Sequence, residues 1–476
     1  MKKQSLIVLC AAFAMASNAA MANGKSFSNF CKQPNESLAS QAIYKRSFWY
    51  ASGQKTELYI TDSAQNVSGC ETQRLPFDAK TVEWINIISD DVASQLDSGI
   101  VLEGNLDKHQ QFVPDTVSPL EETEKPKRKR RSQHSKVSTN SSSSSLTGQK
   151  LSAPPELHKP TPPTQFIVKH QDNGFIQSGW IWQPEAWQKN ADTTLKKLKR
   201  WHMRQVFITV PVDEKTYTVE TPDLLKTFLT NAHQQGIAVW AVDGDRYALL
   251  PEVRKDFLNR AKAYAAFNAA QSKEHIDGIQ YDIEPYLVNG YGLDSASWNQ
   301  AYLELLKSVK SETPLPIEIV LPFWFEQQKA GNDWFLDQVA TLIDGLAIMD
   351  YRTDLEQIQA FAKPYLEWGI DYQKPVQIAL ETVDLPDNPT QIYHPALEGT
   401  VYLLKKNGLN LFVLLNAPIK APLLGKSFAL SHSNNNSSKQ VTFYRQSDRL
   451  MDILKKLEPK FSAYSSFSGM AIHGIE

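Results

Sequence analysis

Asp277-Gly278-Ile279-Gln280-Tyr281-Asp282-Ile283-Glu284-Pro285-Tyr286 reads as one β-strand with two unlike faces. Strand side chains alternate sides, so Gln280, Asp282 and Glu284 share one face while Ile279, Tyr281 and Ile283 take the other. Acids on one side and aliphatics on the other suit a parallel barrel strand. The apolar face packs on helices, and the polar face looks into the lumen and its mouth. The flanking sequence supports this. Strand-like runs rich in Val and Ile lie at 175–182, 205–212, 237–242, 276–283, 317–323, 343–351, 376–380 and 469–473. Amphipathic stretches separate them, for example at 193–201, 223–235, 252–271 and 297–310. Eight such strand–helix units predict a (β/α)8 TIM barrel over 166–476, an α/β fold. A doubly wound open sheet is the alternative, but no Gly-rich phosphate loop accompanies it. Further strand-like runs at 409–415, 428–430 and 441–444 predict a small β-hairpin insertion between the seventh and eighth barrel strands.

Barrel active sites lie at the C-terminal ends of the strands. Polar and aromatic residues collect there: Trp180, Trp182 and Glu185 after the first strand, Asp243 and Asp245 after the third, Phe323, Trp324 and Glu326 after the fifth. The sixth ends Met349-Asp350-Tyr351-Arg352, the seventh in Glu381 and Asp384, and the eighth in His473. Any one of these suits an ordinary surface charge; the repetition across strands points to a site. Two acids two residues apart on a barrel strand are costly to bury without a purpose. With Asp282 ionised, its charge raises the Glu284 pKa, as a general acid near neutral pH requires. A salt-bridge network at the barrel mouth is the purely structural alternative.

The 277–284 stretch resembles the catalytic strand of the family 18 glycoside hydrolases (chitinases and endo-N-acetylglucosaminidases), which reads D-G-x-D-x-D-x-E. Asp277, Gly278, Asp282 and Glu284 match, Tyr281 takes the usual aromatic position, and Gln280 stands where the family has its middle Asp. The 349–352 stretch is similar to the family's M-x-Y-D, with Arg352 in place of the final Asp. The resemblance covers the barrel alone. It implies Glu284 as acid/base on the glycosidic oxygen and Asp282 as the group that orients the substrate's 2-acetamido arm, which itself attacks the anomeric carbon. Tyr351 would bond the acetamido carbonyl, and Trp180, Trp182 and Trp324 would stack on sugar rings. Gln280, Asp350, Arg352, Glu381, Asp243 and His473 complete the expected substrate-binding set. His473 stands where the family often has a floor Trp. The expected activity is hydrolysis of an N-acetylhexosamine-containing polysaccharide, with no cofactor and no metal.

Two other functions fit the same residues. Glu284 and Glu381 could form a two-carboxylate retaining pair, which needs their carboxyls about 5–5.5 Å apart. A non-catalytic carbohydrate-binding protein would be consistent with Gln280 and Arg352. Asp243, Asp245 and His473 lack a recognisable metal-ligand spacing, which argues against a metal-dependent deacetylase.

Residues 1–22 read as a bacterial-type secretory signal: Lys2 and Lys3, an apolar run from 5 to 16, and Ala20-Met21-Ala22 before Asn23. Periplasmic or secreted location follows, with no transmembrane segment once the signal is removed. Cys31 and Cys70 remain as an even pair and predict a disulfide. Residues 23–113 form a small N-terminal module with strand-like pieces at 47–50, 57–60 and 81–88. Residues 114–165 carry the basic run 125–131, Ser141 to Ser145 and a Pro-rich end, and are expected to be a disordered linker. The basic run suits a solvated tether or contact with an anionic polymer or envelope surface. The 476 residues hold 50 Lys+Arg against 52 Asp+Glu, a net charge of −2, which excludes a globally basic nucleic-acid binder.

Overall fold

The computed structural model describes residues 26–475 except 63, 64, 66, 108–111, 121–175, 272, 407, 408 and 421–424. The expected signal, the basic run and most of the expected linker lie outside the described residues.

The N-terminal strands are β1 (Phe27–Cys31), β2 (Tyr44–Trp49), β3 (Lys55–Thr61), β4 (Cys70–Arg74), β5 (Val82–Ile88), β6 (Ile100–Leu106) and β7 (Phe112–Pro119). The first four make an antiparallel sheet in the order β2-β3-β1-β4. Cys31 faces Cys70 across β1 and β4 and is bonded to it, which fits an oxidising compartment. Closing that loop contributes about 3–4 kcal/mol in the chain-entropy treatment. No helix among the described residues is long and apolar enough to cross a membrane.

The barrel closes as expected. Its strands are β8 (Ile176–Ile181), β9 (Gln205–Thr209), β10 (Ala238–Asp243), β11 (Gly278–Tyr281), β12 (Ile317–Pro322), β15 (Gly345–Met349), β16 (Val376–Glu381) and β21 (Phe467–His473), all parallel. A two-strand ribbon, β13 (Lys329–Ala330) and β14 (Asp333–Trp334), follows β12. The alternation read from the sequence holds along β11. Ile279, Tyr281 and Ile283 pack in the layer between barrel and helices, whereas Gln280 is buried in the lumen. Gly278 is required there because the Trp240 ring lies across it from β10: a Cβ would fall 2.5 Å from that ring. Asp277 anchors the opposite end of the strand, accepting from the Val239 N–H at 2.7 Å and meeting His233 Nε2 at 2.9 Å.

The insertion after β16 is larger than a hairpin: β17 (Asn388–Ala396), β18 (Glu398–Lys406), β19 (Leu409–Lys420) and β20 (Gly425–Asn436). These strands share one antiparallel sheet with the N-terminal ones, in the order β5-β19-β18-β20-β17-β6-β7. Strand β19 explains why. Leu411, Val413 and Leu415 face one apolar cluster, and Phe412 and Leu414 face another. A strand apolar on both faces needs cover on both sides, which a hairpin lacks. The expected division at 113 also shifts, because residues 114–119 belong to β7, paired with β6. Residues 441–444 form no strand of the sheet; Thr442 makes a single bridge to Glu381.

Candidate active site

The lumen is built in layers. At its base Ser178 Oγ donates to Gln377 Oε1, and Gln377 Nε2 donates to Gln205 Oε1 at 2.9 Å. Above lie Trp180, Phe207, Val242, Val320, Ala347, Met349, Ala379 and Ala471, aromatic on the first two strands and, Met349 apart, alanine on the last three. Gln280 is 0% exposed; its Oε1 accepts from Trp180 Nε1 at 2.6 Å and its Nε2 donates to Glu318 Oε1 at 2.6 Å. Trp180 is 3% exposed and stacks on Phe207 at 5.3 Å. Both residues therefore support the site from beneath, and neither offers a free face to a sugar.

Glu318 escaped the sequence reading, although an acid inside Ile317-Glu318-Ile319-Val320 was a visible signal. Burial pushes its carboxyl up to about 7, against the opposing hydrogen bond from Gln280. Between its ordinary 4.5 and about 7 the folded state therefore holds a proton that the unfolded state releases. Stability falls as pH rises through that window. Glu318→Gln keeps an acceptor for Gln280 and removes this loss. Denaturant titrations should show the variant about 1–3 kcal/mol more stable near pH 8 and level with wild type near pH 4. Equal curves at both pH values would refute the assignment.

The mouth brings together seven of the expected residues. Asp282 and Glu284 follow β11 with the lumen-facing parity of Gln280, and the Asp282 N–H continues the ladder to the Asp243 carbonyl at 2.9 Å. Asp282 Oδ1 is buried with no hydrogen-bond partner among the described residues. Burial pushes the Asp282 carboxyl up to about 7; the charge of Glu284 adds to this and His473 opposes it.

Tyr351 stacks on His473, with ring centroids 6.2 Å apart and planes 11° from parallel. His473 Nδ1 lies 2.8 Å from Glu381 Oε2, and Trp182 Nε1 donates to His473 Nε2 at 3.1 Å. With Trp182 donating to Nε2, the Nδ1 proton belongs to the Glu381 bond. Glu381 Oε1 accepts from the backbone N–H groups of Thr382 and Val383, each at 2.7 Å. Both oxygens of Glu381 are thus engaged, and it serves as an anchor for His473. Trp324 is 37% exposed and meets Tyr286 edge-on at 5.0 Å.

Tyr286 is the site residue the sequence reading missed. Its hydroxyl donates to Glu284 Oε1. It continues the series Gln280, Asp282, Glu284 in steps of two, and that was the available signal.

Three expected residues turn away, because their parity is opposite. On β10 Val242 faces the lumen, so Asp243 points to the helix Pro251–Ala269, where Arg260 holds it by Nε at 2.6 Å and Nη2 at 3.1 Å. On β15 Met349 faces the lumen, and Asp350 is buried with neither carboxyl oxygen partnered among the described residues. Burial drives the Asp350 carboxyl well up despite the nearby Arg352. Arg352 lies over Phe323 at 4.5 Å and Phe361 at 5.7 Å, two rings stacked on each other. No group of three or more His, Cys, Asp or Glu among the described residues could hold a metal ion.

No family model and no curated protein matches the chain. Among solved structures, one titled as a GH113 β-1,4-mannanase has 12% identity and a TM-score of 0.37, over 64% of this chain and 89% of that one. A GH18 chitinase from Cycas revoluta in complex with (GlcNAc)3 has 11% identity and a TM-score of 0.34, over 63% and 94%. The Bacillus cereus spore cortex-lytic enzyme SleL has 11% identity and a TM-score of 0.33, over 62% and 70%.

Proposed function

We propose that the protein is an exported glycoside hydrolase acting on an N-acetylhexosamine-containing polysaccharide. The observation that carries this reading is the carboxyl pair at the end of β11: Asp282 with a buried, unpartnered oxygen, beside Glu284 with a tyrosine on its carboxyl. Glu284 protonates the glycosidic oxygen. Asp282 accepts from the acetamido N–H and stabilises the positive charge that the arm acquires as its carbonyl oxygen attacks the anomeric carbon. Tyr351 faces the same space, and Trp182 and Trp324 offer rings to sugars on either side. Engagement of both Glu381 oxygens by His473 and two backbone N–H groups argues against Glu381 as a nucleophile.

The experiment is incubation of the purified chain with chitin oligomers, peptidoglycan and poly-N-acetylglucosamine, followed by mass analysis of the products. Cleavage of one of them is expected. Oligosaccharide binding with no cleavage over long incubation would replace the enzyme by a binding protein. The raised Asp282 carboxyl adds a pH signature, because burial and the charge of Glu284 beside it hold a proton on the pair up to about 7. Turnover that needs one proton on the pair falls as pH rises through about 7, and Asp282→Asn should lower kcat and remove that limb. A variant that kept the limb would remove Asp282 from this role.

A further inference from the structure

We infer that the N-terminal sheet positions the acid: β2 grips the loop after Glu284 and through it sets the Tyr286 hydrogen bond. The inference rests on the reading of Glu284 as the acid. The loop runs from Glu284 through a turn at Pro285–Leu287 to a second turn at Tyr291–Leu293. Its far end belongs to the N-terminal sheet as much as to the barrel. The Trp49 N–H donates to the Asn289 carbonyl at 2.8 Å, and Arg46 Nη2 donates to Asn289 Oδ1 at 2.9 Å. Leu293 packs into the cluster of Phe48, Leu58, Ile60 and Ile85. Gly290 has φ +112°, and a Cβ there would fall 2.1 Å from the Trp49 carbonyl oxygen. Only glycine lets the two backbones meet this closely.

The near end carries the chemistry. Tyr286 sits edge-on to Tyr291 at 6.5 Å and to Trp324 at 5.0 Å. Tyr291 is itself tied by its hydroxyl to Asn299 at 3.1 Å. The Tyr286 hydroxyl is the one donor to the Glu284 carboxyl among the described residues. A continuous set of contacts therefore leads from β2 to the acid. Trp49, Arg46 and Asn289 are positioning residues: they touch neither Glu284 nor the space above it.

The test compares Gly290→Ala and Arg46→Ala with Tyr286→Phe, reading kcat, KM, the pH profile and amide exchange of residues 285–293. Gly290→Ala should lower kcat about 10–100-fold with KM little changed. It should move the pH profile in the same direction as Tyr286→Phe. In the Tyr286→Phe background it should add little, because both changes break the same contact. Arg46→Ala should show a smaller effect of the same kind, restored in part by Arg46→Lys, and faster exchange of 285–293. Folded Gly290→Ala and Arg46→Ala proteins with wild-type kcat and pH profile would overturn the inference, as would losses that multiply in the double variant. If Gly290→Ala does not fold, the Arg46 variants decide. If the wild type cleaves no saccharide, the enzyme reading falls, while unchanged exchange in Arg46→Ala would separately overturn the grip.

Discussion

A chain beginning at residue 176, and so carrying every barrel strand, is expected to be insoluble or aggregated when expressed alone. The reason lies in the shared sheet. Removing the N-terminal part takes β5 from β19 and β6 from β17. It also takes Phe48, Leu58, Ile60, Ile85 and Ile87 off Tyr402, Leu404, Leu411, Val413 and Leu415. On the other face, Trp84, Ile88, Ile100 and Leu102 leave Val401, Leu403, Phe412 and Leu414. Exposing a large aliphatic or aromatic side chain costs roughly 1.5–3 kcal/mol. Nine such exposures on the remaining sheet are enough to offset most or all of the roughly 5–15 kcal/mol that holds a domain folded. The exposed edge of β19 would also invite pairing between chains. Adding residues 26–120 as a separate polypeptide should restore soluble barrel, read by gel filtration and near-ultraviolet circular dichroism. A monomeric, folded 176–476 fragment would contradict the shared-sheet account.

Glu284→Gln is expected to abolish turnover, by about 10²–10⁴-fold or more, with the melting temperature held within about 2 °C. The side chain is half-buried at the mouth and its one hydrogen-bond donor among the described residues is Tyr286, which an amide oxygen also accepts. The change therefore removes a proton without removing a contact. Loss of activity together with loss of fold would instead make Glu284 a structural member of the mouth, as in a salt-bridge network. Unchanged activity would take it out of the chemistry altogether.

What the sequence made legible was periodicity. Eight Val- and Ile-rich runs located the barrel strands, and alternation along 277–286 placed Ile279, Tyr281 and Ile283 outside and Gln280 inside. Alternation would also have turned Asp243 and Asp350 outward, since each follows a lumen-facing neighbour, Val242 or Met349. Proximity to a strand end was the weaker guide. Gln280 could not be assigned from sequence, because its role depends on Trp180 and Glu318, which lie on other strands. The pairing of β5 and β6 with the insertion was not legible either. Strand patterns mark a face as apolar but do not name the partner, and about 300 residues separate these strands. Its one trace was the two-sided apolarity of 409–415, which asks for cover that a lone hairpin lacks.

The most direct measurement compares two oligosaccharides of equal length, one N-acetylated and one with free amines, digested by the wild type and by Glu284→Gln. The account predicts cleavage of the acetylated chain by the wild type alone, and no cleavage of the amine form by either protein. Equal cleavage of both chains, or turnover by Glu284→Gln at the wild-type rate, would contradict it.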